Sequence, residues 1–240
     1  MSERAGHSGD AALVEVEDLY KRYEARGVET RAIDGVSLRV DQGELTALAG
    51  PSGSGKTTLL NLIGALDTPT SGRVRVDGCD LASLSSAELS ELRLRKLGFV
   101  FQAYNLIPVF SALENVEFVM ELQGVPAGER RERAREVLDQ VGLAGLEPKR
   151  PPEMSGGQQQ RVAVARAIAS RPRLVLADEP TANLDSATAQ GLIDLMQELN
   201  RDHGVTFLFS THDPLVMEAA RRVVRLRDGR VAADERRDAA

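Results

Sequence analysis

The stretch GPSGSGKTT at residues 50–58 decides the fold. It has the spacing G-x-x-x-x-G-K-[ST], follows the apolar run ELTALA at 44–49, and opens into helical spacing from Lys56 to about Leu66. A strand, a glycine-rich loop and a helix in that order make an anion nest. Glycines let backbone N–H groups turn inward where Cβ atoms would crowd a triphosphate, and the positive end of the helix dipole adds to them. Gly50, Pro51, Ser52, Gly53, Ser54, Gly55, Lys56, Thr57 and Thr58 are therefore the expected nucleotide-binding residues. Lys56 brings a point charge to the outer phosphates, and the Thr57 hydroxyl is a candidate Mg2+ ligand. An ordinary glycine turn would not need a strand and a helix in register around it.

Hydrolysis needs more than phosphate binding, and LVLADE at 174–179 offers the rest. An acid at the end of a buried strand lies where parallel sheets hold ligands, outside their carboxyl ends. Asp178 fits a magnesium shell, directly or through water. Glu179, one residue further, can face a water beside the γ-phosphate. The structural alternative is an acid that caps the next helix ahead of Pro180.

Outward from these two stretches, LVEV at 13–16 alternates like a strand, 20–30 is polar, and 32–40 is strand-like before a turn at 41–43. A short strand is expected at 73–76. Between about 84 and 152 the pattern turns helical: SSAE at 85–88 resembles a capped helix start, 112–122 has helical spacing, and Ala134, Val137, Leu138 and Val141 share one helix face. Pro148, Pro151 and Pro152 close this lobe. Val162, Ala165 and Ala169 then mark a helix, 174–177 a strand covered on both faces, Leu192, Leu195, Met196 and Leu199 a helix, and 205–209 and 222–226 two strands. Strands alternating with helices imply a mostly parallel sheet, here interrupted by a helical lobe.

The bulk numbers agree with one such domain. The chain has 240 residues, 42% of them apolar and 28% charged, with 30 basic against 36 acidic residues for a net charge of −6. That balance lacks the basic footprint of a nucleic-acid binder, so no nucleic-acid partner is expected. The single cysteine, Cys79, can form no internal disulfide and has no partners at metal-ligand spacing, which suits the cytosol. Residues 1–10 lack the apolar core of a signal peptide, and no run approaches the ~20 apolar residues needed to cross a bilayer. Any membrane role is expected to come through a partner.

MSGGQQQR at 154–161 opens the helix after the lobe and is another anion site, a hydroxyl and two glycines at a helix N-terminus. Together with the phosphate loop and Asp178–Glu179 it closely resembles the signature of the ATP-binding cassette ATPases, with motifs in family order from about residue 13 to 232. Met154 stands where the family often has Leu, a swap that keeps apolar volume. The resemblance implies an α/β fold: a P-loop NTPase core with a mixed, mostly parallel sheet, an N-terminal antiparallel β subdomain and an inserted α-helical subdomain at about 84–152. It leaves tails at 1–12 and 233–240.

It also implies roles. Tyr23 occupies the place of the aromatic that stacks on adenine. Gln102 matches the glutamine that reaches the magnesium and senses a membrane partner, so Thr57, Gln102 and Asp178 form the implied metal set. Asn183 and Asp185 match the loop that communicates across a dimer. His212 matches the histidine that contacts the γ-phosphate, beside Glu179 and Lys56 in the catalytic group. Taken singly, His212 and Tyr23 read as ordinary structural residues; their joint order and spacing carry the functional reading. The implied mechanism closes two copies head to tail around two ATP molecules, so that Ser155, Gly156, Gly157 and Gln158 of one copy face the phosphate loop of the other. ATP and Mg2+ are the expected cofactors and a homodimer the expected assembly.

GALDTPTSG at 64–72, FQAYNLIP at 101–108, ALENV at 112–116, the triple glutamine at 158–160 and the lengthened segment at 24–30 resemble the ATPases of lipoprotein-releasing and macrolide-exporting systems. Those pair with a separate integral membrane permease that has four membrane helices and a large extracytoplasmic domain. The expected location is thus cytoplasmic, peripheral on the inner membrane, with docking through the surface at 102–111 and the helical lobe. Leu106, Ile107, Val109 and Phe110 would serve there, or else as ordinary lobe core. Two other readings stand beside this one: a cell-division type complex that transmits mechanical work without transport, and a soluble cassette ATPase of DNA repair or translation.

Overall fold

The computed structural model describes residues 12–25 and 28–237. Residues 1–11 of the expected N-terminal tail, 238–240 of the expected C-terminal tail and 26–27 of the lengthened segment after Tyr23 lie outside the described residues.

The chain opens as a hairpin. Strands β1 (Val14–Ala25) and β2 (Val28–Val40) pair antiparallel from Val14↔Val40 out to Tyr23↔Thr30 and Glu24↔Glu29. The polar stretch at 20–30 is therefore mostly strand. Its inner half buries Val14, Val16, Ile33, Val36 and Val40, whereas backbone pairing and cross-strand contacts hold the polar outer half, which leaves no apolar alternation to read. β3 (Leu45–Ala49) is fully buried and leads through the glycine loop into α1 (Lys56–Ile63), which stops short of Leu66 because Ala65 takes a φ of 54°. β4 (Ser71–Val76) and β5 (Cys79–Asp80) complete an antiparallel sheet in the order β2-β1-β4-β5.

Next come α2 (Ser86–Lys96), β6 (Leu97–Val100), α3 (Ala112–Leu122), α4 (Ala127–Gln140), α5 (Gly156–Ala169), β7 (Leu174–Asp178), α6 (Ser186–His203), β8 (Thr206–Thr211), α7 (Pro214–Ala219), β9 (Arg222–Arg227) and β10 (Arg230–Arg236). Ser85, Ser111 and Ser155 each cap their helix through a reciprocal capping box. Among the described residues the second sheet has six strands, β10-β9-β3-β8-β7-β6, parallel from β9 to β6 with β10 antiparallel at the edge. The expected mixed, mostly parallel sheet, antiparallel β layer and helical insert are all present.

Two further stretches differ from the sequence reading. Residues 97–100, inside the span expected to be helical, form the edge strand β6, paired in parallel with β7. Four apolar residues wedged between a helix and a loop are too short to announce a strand. Residues 233–236, expected to be tail, belong to β10, held on β9 by paired backbones and by the Arg222–Asp234 ion pair.

The central sheet is covered on both faces, and its strands alternate between two cores. Leu48, Leu174, Leu176 and Leu208 pack with α1 and the antiparallel sheet, while Val175, Ala177, Phe207 and Phe209 pack with α3, α5 and α6. This two-sided burial is why 174–177 reads as a continuous apolar run. It also brings the carboxyl ends of β3, β7 and β8 to one edge, with Ala49 paired to Thr211 and Asp178 to Ser210.

Candidate nucleotide site

The glycine loop sits at that edge, between β3 and α1. Gly55 has a φ of 102°, and a Cβ there would lie 2.5 Å from the Ala32 carbonyl oxygen; a Cβ on Gly50 would lie 2.3 Å from the Leu226 carbonyl oxygen. Both positions are closed to any side chain by backbone that cannot step aside. α1 has no side-chain cap and no acid in its first turn, so its leading N–H groups are left for an outside acceptor. Lys56 is buried, and its Nζ donates to the carbonyl oxygens of Gly50 at 2.8 Å and Pro51 at 3.2 Å.

The acidic pair arrives from β7. The Thr57 hydroxyl donates to Asp178 Oδ1 at 2.9 Å, across 121 residues of chain. Glu179 turns the chain with a φ of 46°, its N–H bonded to the Ser210 carbonyl at 2.9 Å, and this turn aims its carboxylate inward. Glu179 Oε1 lies 3.0 Å from His212 Nδ1 and 3.8 Å from Lys56 Nζ. A cleft of about 500 Å³ is lined by Ser52, Gly53, Gly55, Lys56, Thr57 and Thr58 from the loop, Gln102, Glu179, Ala182 and His212 from the facing strand ends, and Thr30, Arg31 and Ala32 from β2.

The expected residues do not all meet. Lys56, Thr57, Asp178, Glu179, Gln102 and His212 come together. Tyr23 stands just outside the cleft lining, half-exposed at the end of β1, with its cross-strand neighbour Thr30 in the lining. Ser155, Gly156, Gly157 and Gln158 are absent from the lining: Ser155 Oγ accepts from the Gln158 N–H at 3.3 Å, and Gln158 Oε1 accepts from the Ser155 N–H at 3.0 Å. Asn183 Nδ2 donates to the Gln102 carbonyl at 2.9 Å, tying that loop to the cleft wall. Asp185 caps α6, and its bonds from Thr188 hold its carboxyl below the usual carboxylate range. The acid that caps α6 is thus Asp185, and Asp178 and Glu179 are left to the cleft. Thr30, Arg31 and Ala32 also line the cleft, which nothing in a polar strand segment announces; Thr30 does so as the cross-strand partner of Tyr23.

The donors fit a nucleoside triphosphate with a divalent cation. An uncapped helix N-terminus and a buried ammonium suit the phosphates. Thr57 and Asp178 oxygens in mutual contact, beside Gln102, suit Mg2+, which takes few protein ligands and completes its shell with phosphate oxygens and water. Among the described residues no three Asp, Glu, His or Cys side chains cluster as a metal cage.

Comparison with known proteins adds four findings. Residues 33–182 match the family described as ABC transporter. The chain is 52% identical over 222 residues to the lipoprotein-releasing system ATP-binding protein LolD of Anaeromyxobacter dehalogenans, spanning 92% of this chain and 93% of that one. It is 48% identical over 219 residues to the macrolide export ATP-binding/permease protein MacB of Syntrophobacter fumaroxidans, spanning 90% of this chain and 31% of that protein. Its fold superposes with a TM-score of 0.88 and 40% identity on the ATP-binding cassette MJ0796, solved as a dimer in a post-hydrolysis state bound to ADP and Pi, covering 95% of this chain and 100% of that one.

Proposed function

The chain belongs to the ABC transporter family as an ATP-binding subunit, and we propose that it dimerises on ATP to drive a separate membrane permease of the lipoprotein-release or macrolide-export kind. One observation carries this reading. The cleft gathers a lysine, a threonine–aspartate pair, a glutamate and a histidine, yet the Ser155–Gln158 helix start stands apart from it. A second anion-binding helix N-terminus outside the cleft is useful if another copy of the chain brings it to the γ-phosphate.

In this mechanism the loop N–H groups and Lys56 hold the phosphates. Glu179 accepts a proton from the water that attacks the γ-phosphorus as the bridging P–O bond breaks and ADP leaves, while His212 holds the Glu179 carboxylate in place. Thr57, Asp178 and Gln102 would hold Mg2+, which would neutralise charge on the phosphates. Ser155 and the first N–H groups of α5 from the second copy steady the charge on the transferred group. Shared in this way, the γ-phosphate holds the dimer closed, and its release lets the dimer open.

Gln102 suits transmission to the permease. It lines the cleft, while its neighbour Phe101 lines a largely apolar groove of about 390 Å³ with Leu66, Leu94, Phe99, Phe118 and the stem of Arg166. Arg166 donates to the Asn105 and Tyr104 carbonyls and so fixes the loop between groove and cleft. The groove and the exposed Val109 suit a cytoplasmic segment of the permease. No described helix is long and apolar enough to cross a membrane, so the reading places the chain at the inner membrane through that partner. Co-purification from native membranes tests it: the expected companion is an integral membrane protein with a large extracytoplasmic domain, and recovery of the chain free of any membrane protein would contradict the proposal.

A further inference from the structure

We infer that Asp67 and Lys21 are positioning residues for the nucleotide base, because together they fix the ring of Tyr23. The inference rests on the reading of Tyr23 as the platform for adenine.

Tyr23 lies near the outer end of the β1–β2 hairpin, outside the buried apolar cores. Polar contacts hold it instead. Its hydroxyl donates to Asp67 Oδ2 at 2.6 Å. Lys21 Nζ donates to Asp67 Oδ1 and to the Thr68 carbonyl, both at 2.7 Å, and lies over the Tyr23 ring at 4.7 Å from its centroid. The Thr68 N–H adds a further bond to Asp67 Oδ1 at 2.7 Å. Burial opposes the charge on Asp67, but the bonds from Lys21, Tyr23 and Thr68 outweigh it and keep the carboxylate ionised. One face of the ring is covered by a cation, its hydroxyl is held by a charge-assisted bond, and the residue as a whole is 41% exposed, which leaves room for a planar partner.

The place of Asp67 in the chain gives this a consequence. It follows the end of α1, where the Leu66 N–H bonds to the Asn61 carbonyl at 2.9 Å. The turn after it is stapled to β1 by Thr70 N–H to the Tyr20 carbonyl at 2.8 Å and by the Arg22 N–H to Thr70 Oγ1 at 3.0 Å. The helix that starts at the phosphate loop therefore also anchors the base platform, and the Tyr23 hydroxyl lies beside Thr58 of that loop. The distance from phosphates to base is set by α1, not by the free end of the hairpin. A platform ordered before binding spares the base the entropy of ordering it, and a large purine gains more from a fixed plane than a small pyrimidine.

The test is calorimetry on the full chain with MgADP, MgCDP and magnesium pyrophosphate. Tyr23→Ala should weaken MgADP binding about tenfold, in the range of base–aromatic stacking. Tyr23→Phe, which keeps the ring and loses the hydroxyl with its bond to Asp67, and Asp67→Ala should each weaken it about three- to fivefold and narrow the preference for MgADP over MgCDP. Their combination should be no worse than Asp67→Ala alone, because Tyr23→Phe removes a bond that Asp67→Ala already breaks. Pyrophosphate affinity should stay within about twofold throughout. If Tyr23→Ala weakens MgADP binding while Tyr23→Phe and Asp67→Ala leave it intact, the platform stands and the pin is overturned. An unchanged affinity in Tyr23→Ala overturns both. An equal loss for pyrophosphate reduces Asp67 to a support of the loop and overturns the inference as well.

Discussion

Glu179→Gln should tighten ATP binding and nearly stop hydrolysis. The Glu179 carboxylate is 15% exposed and lies 3.8 Å from the Nζ of Lys56, itself 6% exposed. Between unit charges at that separation the Coulomb term is about 4 kcal/mol at an effective dielectric constant near 20. Desolvation of two nearly buried groups offsets much of this, leaving about 1–2 kcal/mol net. A triphosphate has to draw Lys56 away from this partner, and a neutral amide does not compete. The dissociation constant for MgATP should therefore fall about 5- to 30-fold, read by calorimetry at protein concentrations low enough to keep the chain monomeric. The same substitution removes the proton acceptor for the attacking water, so phosphate release should drop by about 10²- to 10⁴-fold. With hydrolysis stopped, the variant should elute as a dimer in Mg-ATP on size exclusion. Unchanged or weaker MgATP binding would refute the competition for Lys56. Phosphate release within about tenfold of the wild type would refute the role of Glu179, and a monomer throughout would refute the shared site.

Three further outcomes are expected. Lys56→Ala should abolish phosphate release, and an undiminished rate would contradict the role given to the loop. Gly55→Ala forces a φ of 102° and a 2.5 Å approach to the Ala32 carbonyl. It should cost about 2–4 kcal/mol and lower the melting temperature by about 5–12 °C in a chain of this size; a drop below about 2 °C would show that the loop relaxes freely. Acid should unfold the protein through its paired carboxylates. The Arg222 hydrogen bond holds Asp234, and the Arg230 hydrogen bond holds Asp34, below the usual carboxylate range. Folded values below unfolded ones mean that the stabilisation is fully present above the unfolded range and is lost as pH falls through the folded values. The melting temperature should be flat from neutrality to about pH 5 and fall below about pH 4, and Asp234→Asn should reduce that fall. An equal slope in the variant would remove Asp234 from the account.

Much of this fold is legible in the sequence. The helix starts at Ser85 and Ser155 were visible because a capping box is a four-residue signal, and the strand at 174–177 because burial on both faces leaves nothing but apolar residues. β6 and β10 were not: one is too short to show a period, and the other is a half-polar edge strand. The outer half of the hairpin shows in the sequence only as a polar stretch, because pairing there depends on backbone bonds, which carry no residue code.

By itself the sequence determined the phosphate loop, the acids after the buried strand and the capped glycine-rich helix start, because each is local and its chemistry follows from adjacent residue types. Tertiary structure alone decided which of these meet. Placing β3 between β8 and β9 and β7 beside β8 sets Thr57 on Asp178 and Glu179 between Lys56 and His212. It sets Tyr23 on Asp67 and leaves Ser155 away from the cleft. Strand order is fixed by the packing of two cores across one sheet, and no short window of sequence contains it.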